Sequence, residues 1–314
     1  MLFNEPHYKN IYFEISGRCN ARCKYCVTGQ ENINHNPVGK FVDIELFKKA
    51  ITHLLSTGIA APNCSFHLYN WGEPFMHPQF KDIVNWLYET NLTFALSTNG
   101  SIPLPEFSAP VFTKMRHITF SCCGFSQNSY DKIHGFSFEK ITKNISTTIR
   151  QIRQLGFCGD CCIAFHIYKF NLHEIAPAYD FAVANHIGFT PTVAYFNDFD
   201  RAIAFLQNQC CETEATNDLY LEHVKELCAH RPSNYLCPQS RVLVIDENLN
   251  VLTCCAPKDE NYGSILNYDT TAELNAARSK AKKCEVCQSC KWDFWANTPV
   301  MFDMRTQSFW VNAK

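Results

Sequence analysis

Cys19, Cys23 and Cys26 stand at the spacing C-x3-C-x2-C, and they are the residues whose type and spacing most demand a chemical reading. Three thiolates this close can hold three irons of a cubane cluster, which takes four thiolates when closed. The fourth iron then has an open position for a substrate or cofactor. A lone zinc site fits the trio less well, because zinc prefers tetrahedral closure by four ligands, often paired two and two.

The remaining cysteines sharpen this reading. The chain has 18 in 314 residues. It has no apolar run near the roughly 18 residues of a membrane span. Its start, MLFNEPHYKN, lacks the basic and apolar regions of a signal peptide. Those features predict a cytoplasmic protein, where disulfide frameworks are rare and thiols serve metal binding, catalysis or inert burial. Cys64, Cys122, Cys123, Cys158, Cys161, Cys162, Cys210, Cys211 and Cys228 fall mostly in apolar segments and read as small buried hydrophobes. A formal net charge of -2 gives no electrostatic footprint for nucleic acid or an anionic membrane, so neither is an expected partner.

The elements that must position the thiols alternate along the first 210 or so residues. Strand patterns cover 11–15, 65–69, 93–97, 117–121, 161–168 and 189–196. Helical spacing of apolar residues covers the stretch from Asp43 to a stop at Gly58, and then 80–88, 138–155 and 174–184. Six strands alternating with helices predict an α/β fold with a parallel sheet, either open and doubly wound or a whole or partial barrel. The loop carrying Cys19 follows the first strand, so it lies at the carboxyl end of the sheet, where active sites sit. One helix over 218–229 then leads to a cysteine-rich tail. In the tail, 242–245 and 251–253 flank an acidic, Asn-rich turn, which is a hairpin pattern.

These residues resemble the signature of the radical S-adenosylmethionine superfamily. Tyr25 is similar to the aromatic residue that family carries beside its third cysteine, near the adenine. Trp71-Gly72-Glu73-Pro74 resembles its Gly-Gly-Glu-Pro motif, with Trp71 replacing the first glycine. Ser97-Thr98-Asn99-Gly100 resembles its segment ending the third strand. Ser121 to Gly124 resembles Ser-x-Asp-Gly, with Cys123 in place of the aspartate. The resemblance spans about residues 10 to 196. It implies a partial (β/α)6 TIM-like barrel over 1–210 and a connecting helix over 211–236. Cys19, Cys23 and Cys26 would then hold a catalytic 4Fe-4S cluster that binds S-adenosylmethionine at its open iron. Reductive cleavage of that cofactor would give a 5′-deoxyadenosyl radical able to take hydrogen from a substrate carbon. Tyr25, Gly72, Glu73, Pro74, Ser97, Asn99 and Ser121 are the expected cofactor contacts, with Glu73 and nearby backbone at the methionyl ammonium. Ser121 would reach the ribose or carboxylate.

The tail over 237–314 carries Cys237, the doublet Cys254-Cys255, and Cys284, Cys287 and Cys290 at C-x2-C-x2-C. That triplet with a distant fourth cysteine is ferredoxin-like, and zinc is the alternative. The order of cysteine, hairpin, cysteine doublet, Gly263-Ser264-Ile265 and final triplet resembles the SPASM/twitch extension of radical enzymes. Six cysteines fit the shorter form with one auxiliary 4Fe-4S cluster. Its implied ligands are Cys237, Cys254 or Cys255, and two of Cys284, Cys287 and Cys290. The doublet leaves one thiol over. Cys255 is the expected hydrogen-atom donor, Cys254 takes that role if Cys255 is the cluster ligand, and Cys122-Cys123 is a weaker competitor.

The resemblance implies an oxidoreductase or epimerase acting on a small polar substrate of sugar or aminocyclitol type. With the first strand beginning at Ile11, no leader-binding or cobalamin domain is expected before the barrel. Tyr195, Asn197, Asp198, Asp200 and Arg201 are candidate substrate contacts. The aromatic tail (Trp292, Phe294, Trp295, Phe302, Phe309, Trp310) reads as packing. The alternatives are a maturase of a ribosomally made peptide and, in another class, a non-catalytic iron–sulfur or zinc protein. A flavodoxin- or ferredoxin-type donor is expected to supply the electron.

Overall fold

Short apolar runs fold as strands and the amphipathic stretches between them as covering helices. In the computed structural model the described residues are 3–209, 213–229, 235–258, 260–280, 300–303 and 308–311. β1 (Tyr8–Phe13) leads through the cysteine loop to α1 (Val27–Ile33) and α2 (Ile44–Ser56). Next come β2 (Ala60–His67), α3 (Phe80–Glu89), β3 (Thr93–Thr98), β4 (Met115–Cys122), α4 (Gln127–Ile133) and α5 (Phe138–Gln154). β5 (Asp160–Ile167), α6 (Ile175–Ala184), β6 (Gly188–Val193), α7 (Phe199–Leu206), α8 (Thr213–Asp218) and α9 (Leu221–Ala229) follow. The chain then forms β7 (Leu243–Ile245), β8 (Asn250–Leu252), β9 (Asn261–Ser264), α10 (Thr271–Ser279) and the hairpin β10 (Val300–Asp303) with β11 (Ser308–Val311).

β1 to β6 pair in parallel in chain order, which is the wall of the expected partial barrel. The sheet does not end at β1. β7 pairs with β1 in parallel, and β8 and β9 continue it antiparallel. The cysteine-bearing hairpin is therefore hydrogen-bonded into the same sheet as the barrel.

The helices dock by the apolar faces that their spacing marks out. Phe47, Ile51 and Leu54 of α2, and Ile141, Ile145, Ile149 and Ile152 of α5, are buried. Each such side chain contributes about 1.5–3 kcal/mol. Asp43 caps α2 by accepting from the N–H groups of Glu45 and Leu46. Gly58, at φ 71°, ends the turn in the left-handed region, as expected.

Three details differ from expectation. The helix read over 218–229 is α9, which starts three residues later, at Leu221; the shorter α8, unread in the sequence, precedes it, and its last carbonyl, of Asp218, accepts from Lys169 N at 2.8 Å. The short helices α1, α4 and α7 carry too few turns for their periodicity to be read. Cys158 is exposed, in the turn before β5, whereas Cys64, Cys122, Cys123 and Cys228 are buried as expected. Cys210 and Cys211 lie outside the described residues. No described helix is long and apolar enough to cross a membrane.

The buried Arg278 of α10 holds the hairpin to the barrel. Its guanidinium donates to Tyr8 Oη at 2.7 Å, Val242 O at 3.0 Å and Thr253 O at 2.6 Å. Arg278→Met removes all three bonds while keeping most of the volume. The expected loss is on the order of 3 kcal/mol, since bonds to a charged group contribute more than neutral ones. Urea unfolding of the two proteins checks it.

Candidate active site

Every expected cofactor residue falls at the carboxyl ends of β1 to β4 or in the loops just beyond. Close backbone approaches hold the cysteine loop there. A Cβ on Gly29 would sit 2.1 Å from Cys23 O, so only glycine lets the start of α1 pack on the loop. Asn32 Nδ2 donates to Cys19 O at 2.7 Å and to Ala21 O at 2.6 Å. From the segment after β6, Asn197 N donates to Tyr25 O at 2.7 Å, and Val27 N donates to Asn197 O at 3.0 Å. The loop after β1 is thus fastened to the segment after β6.

Two side-chain amides address the sulfurs. Asn99 Nδ2 lies 3.7 Å from Cys19 Sγ, and Asn197 Nδ2 lies 3.7 Å from Cys26 Sγ. Asn197, expected as a substrate contact, lines the cavity and also reaches the cysteine loop. Burial pushes the Cys19 thiol up to about 12, and burial raises Cys23 and Cys26 as well. Such thiols stay protonated unless cationic metal compensates their charge. Among the described residues no three His, Cys, Asp or Glu side chains converge as a single ion requires. A cubane instead offers a separate iron to each thiolate.

The loop after β2 is held from beneath. Glu14, just past β1 and 2% exposed, accepts from three successive N–H groups: Asn70 at 3.2 Å, Trp71 at 2.6 Å and Gly72 at 3.2 Å. Burial raises its carboxyl to about 8. A Cβ on Gly72 would meet Ser16 O at 1.7 Å, which is why glycine is required here. Glu73 is buried, with its carboxylate accepting from Phe75 N, Thr98 Oγ1 and Asn99 N at 3.1, 2.8 and 2.8 Å. Burial lifts its carboxyl to about 7. Glu73 therefore ties the β2 loop to the end of β3, and Pro74 begins the short turn it caps.

These elements enclose one cavity. Cys19, Cys23, Cys26, Tyr25, Gly72, Glu73, Ser97, Asn99 and Ser121 all line it. Pro74 is buried behind them. Tyr25 packs against Tyr168 and Phe196, and its hydroxyl donates to Asp218 at 2.8 Å. The buried Trp71 Nε1 and His134 Nδ1 belong to residues on the same wall and have no hydrogen-bond partner. Three thiols on one loop, an adjoining cavity and orphaned polar atoms fit a cluster with a polar ligand beside it. Cys123 is buried, with its Sγ 3.7 Å from Ser129 O, and it acts electrostatically on Cys23 and Tyr168. The carboxylate that organises the loop after β4 is Glu174, which binds Phe125 N at 2.6 Å and Ser129 Oγ at 2.8 Å. Glu14, Gly29 and Glu174 carry no motif in the sequence. Each works on residues distant in the chain.

The doublet splits in space. Cys254 packs on the main core and its Sγ accepts from Ala256 N at 3.4 Å. Cys255 packs against the small cluster of Trp71, Val244 and Leu252, and acts electrostatically on Tyr69 and Tyr195. Tyr69, Trp71 and Tyr195 all line the cavity. Pairing of Val244 with Leu252 brings the two ends of the hairpin together, with Cys237 before one and the doublet after the other. Cys284, Cys287 and Cys290 lie outside the described residues, as do Trp292, Phe294 and Trp295.

Known proteins share stretches of this sequence and its fold. No protein-family model matches the chain. It is 28% identical over 158 residues to an S-adenosylmethionine-dependent nucleotide dehydratase of Selenomonas ruminantium, covering 45% of this chain and 53% of that protein. It is 27% identical over 164 residues to the antilisterial bacteriocin subtilosin biosynthesis protein AlbA of Bacillus subtilis, covering 52% of this chain and 34% of that one. The chain thus spans about half the length, or less, of these curated relatives. Streptococcus suis SuiB bound to S-adenosylmethionine superposes with a TM-score of 0.57 at 13% identity, covering 91% of this chain and 72% of SuiB. The chain is thus similar in sequence to S-adenosylmethionine-dependent enzymes and shares the fold of radical S-adenosylmethionine proteins, whose cofactors, S-adenosylmethionine and 4Fe-4S clusters, suit the thiol-lined cavity described above.

Proposed function

We propose that the chain is a radical enzyme that takes a hydrogen atom from a carbon of a small polar substrate of sugar or aminocyclitol type in the barrel lumen, leading to epimerisation or two-electron oxidation. The cluster and S-adenosylmethionine would supply the 5′-deoxyadenosyl radical that this chemistry needs. Cys19, Cys23 and Cys26 hold the cluster. Gly72, Glu73, Ser97, Asn99 and Ser121 shape the cofactor's place, and Tyr25 walls its far side.

The observation that carries this reading is the lumen beside the cofactor cavity. Ser97, Ser121 and His166 line the cavity directly. Register puts Thr119 beside Ser97, and Cys162 beside Thr119, on the same face. His67 lies between Asn10 Oδ1 and Tyr69 Oη, 3.3 Å from each, and His117 Nε2 meets Thr119 Oγ1 at 2.5 Å. Burial holds His67 and His166 down to about 4, so both imidazoles are neutral at pH 7. Neutral imidazoles and hydroxyls both donate and accept, which suits a substrate rich in hydroxyls. Maturation of a ribosomally made peptide is the second reading, favoured by the similarity to AlbA, whose role is in bacteriocin biosynthesis.

Cys255 is the proposed hydrogen donor, Cys254 the auxiliary ligand with Cys237 and two of Cys284, Cys287 and Cys290, and a flavodoxin- or ferredoxin-type protein the electron source. Anaerobic turnover of candidate sugars, aminocyclitols and peptides in deuterium oxide tests the assignment. An epimerised product is expected to carry one deuterium, and Cys255→Ala is expected to abolish that incorporation at least tenfold more strongly than Cys254→Ala. Unchanged deuterium in both variants rules out the doublet as donor. A product two mass units lighter without deuterium marks oxidation. Failure of the reduced protein to cleave the cofactor at all leaves the non-catalytic iron–sulfur or zinc reading.

A further inference from the structure

The segment after β6 is hydrogen-bonded to the cysteine loop. Its Asn197 is bound on three sides to the cysteine loop. The backbone N–H donates to Tyr25 O at 2.7 Å, the carbonyl accepts from Val27 N at 3.0 Å, and the carboxamide nitrogen lies 3.7 Å from Cys26 Sγ. The two backbone bonds leave the side chain little choice of position. Asn99 makes the matching approach to Cys19 from β3, also at 3.7 Å. The Asn99 amide is shared, since it also donates to Asn20 Oδ1 at 3.0 Å. Asn197 is the amide that the backbone itself aims at a sulfur.

We propose that Asn197 is a positioning residue whose N–H···S bond to Cys26 raises the reduction potential of the cluster held by Cys19, Cys23 and Cys26. This rests on the radical S-adenosylmethionine reading of that site. Reduction adds one electron to the cluster from an external low-potential donor, and the added negative charge is spread over the sulfurs. A donor on a ligating sulfur stabilises the reduced form more than the oxidised one. The contact is part-buried, so the bond acts in a lower local dielectric than that of bulk water and counts for more there. Tyr195, two residues earlier, lines the cavity, so the segment that reaches Cys26 also borders the lumen.

The test is an EPR-monitored potentiometric titration of the reconstituted holoprotein, without substrate, as wild type, Asn197→Leu and Asn197→Asp. Both substitutions keep the backbone bonds and similar volume. Leucine removes the donor, and aspartate replaces it with an acceptor. Leucine is expected to lower the equilibrium constant for one-electron reduction about tenfold, which is a fall of 59 mV, and aspartate to lower it further. Iron content should stay that of the wild type. Equal potentials in all three loaded proteins overturn the inference while leaving the site assignment intact. Failure of both variants to take up iron, with unchanged circular dichroism, overturns it in favour of a purely structural role. A wild-type protein that takes up no cluster through Cys19, Cys23 and Cys26 defeats the site reading itself.

Discussion

Replacing Cys19, Cys23 and Cys26 together by alanine is expected to abolish 5′-deoxyadenosine formation, a fall of at least a thousandfold, while the fold survives. The size of the effect follows from the site. These are the three thiols on the cavity wall in the loop after β1, each the ligand for one iron of the cluster. The fold should survive because the loop is held by groups the substitution leaves alone. Asn32 still binds the carbonyls of residues 19 and 21, and Asn197 still bridges residues 25 and 27. Alanine also fills most of the space of a buried thiol. Product quantification by mass spectrometry, alongside circular dichroism, separates lost chemistry from lost structure. Residual 5′-deoxyadenosine at wild-type rate contradicts the ligand assignment. If the tail holds its own cubane, the triple variant should retain about four irons; zinc in their place refutes an auxiliary iron cluster.

The second large effect is expected at Glu14. Glu14→Ala leaves the N–H groups of Asn70, Trp71 and Gly72 without their acceptor in a buried loop. Each orphaned donor costs roughly 1–3 kcal/mol, so the loss should reach about 3 kcal/mol or more. S-adenosylmethionine affinity should fall with it, because that loop carries Gly72 and Glu73. Glu14→Gln keeps one acceptor oxygen and should cost less. The same group gives the protein a pH dependence. Its folded pKa, about 8, lies above the ordinary carboxyl value of 4.5 because of burial. The native state therefore binds that proton more tightly than the unfolded chain. Glu14 favours folding below 4.5 and loses that advantage as pH rises through about 8. Glu73, at about 7, acts in the same sense. Urea midpoints of the metal-free protein should fall between pH 5 and pH 8, and Glu14→Gln should flatten that slope. An unchanged slope counts against the Glu14 assignment.

Much of the scaffold was legible because its signals are local. The face of α2, its Asp43 cap and its Gly58 stop lie within one stretch of chain. So do the apolar faces of α3 and α5 and the turn of the cysteine hairpin. The cysteine loop was legible for the same reason, with its three thiols in eight consecutive residues. The residues that hold the site in shape were not. Glu14 looks like a stray acid in an apolar strand until the loop after β2 folds over it. Gly29 is an ordinary glycine until α1 packs on Cys23. The approach of Asn197 to Cys26 was hidden because nothing local shows that β6 ends beside the loop after β1. Glu174 organises a loop 45 residues earlier through Ser129. The continuation of β1 into β7 was hidden in the same way, since parallel pairing between distant segments leaves no short-range pattern.

The measurement that bears most directly on the site is made on the wild-type protein, reconstituted with iron and sulfide under anaerobic conditions and reduced with dithionite. Its EPR spectrum is recorded before and after S-adenosylmethionine is added, and 5′-deoxyadenosine and methionine are then quantified. The expected result is a reduced 4Fe-4S signal that changes on addition of the cofactor, with the two products formed in equal amounts. A signal indifferent to S-adenosylmethionine, with neither product formed, contradicts the assignment of Cys19, Cys23 and Cys26 as the catalytic cluster site.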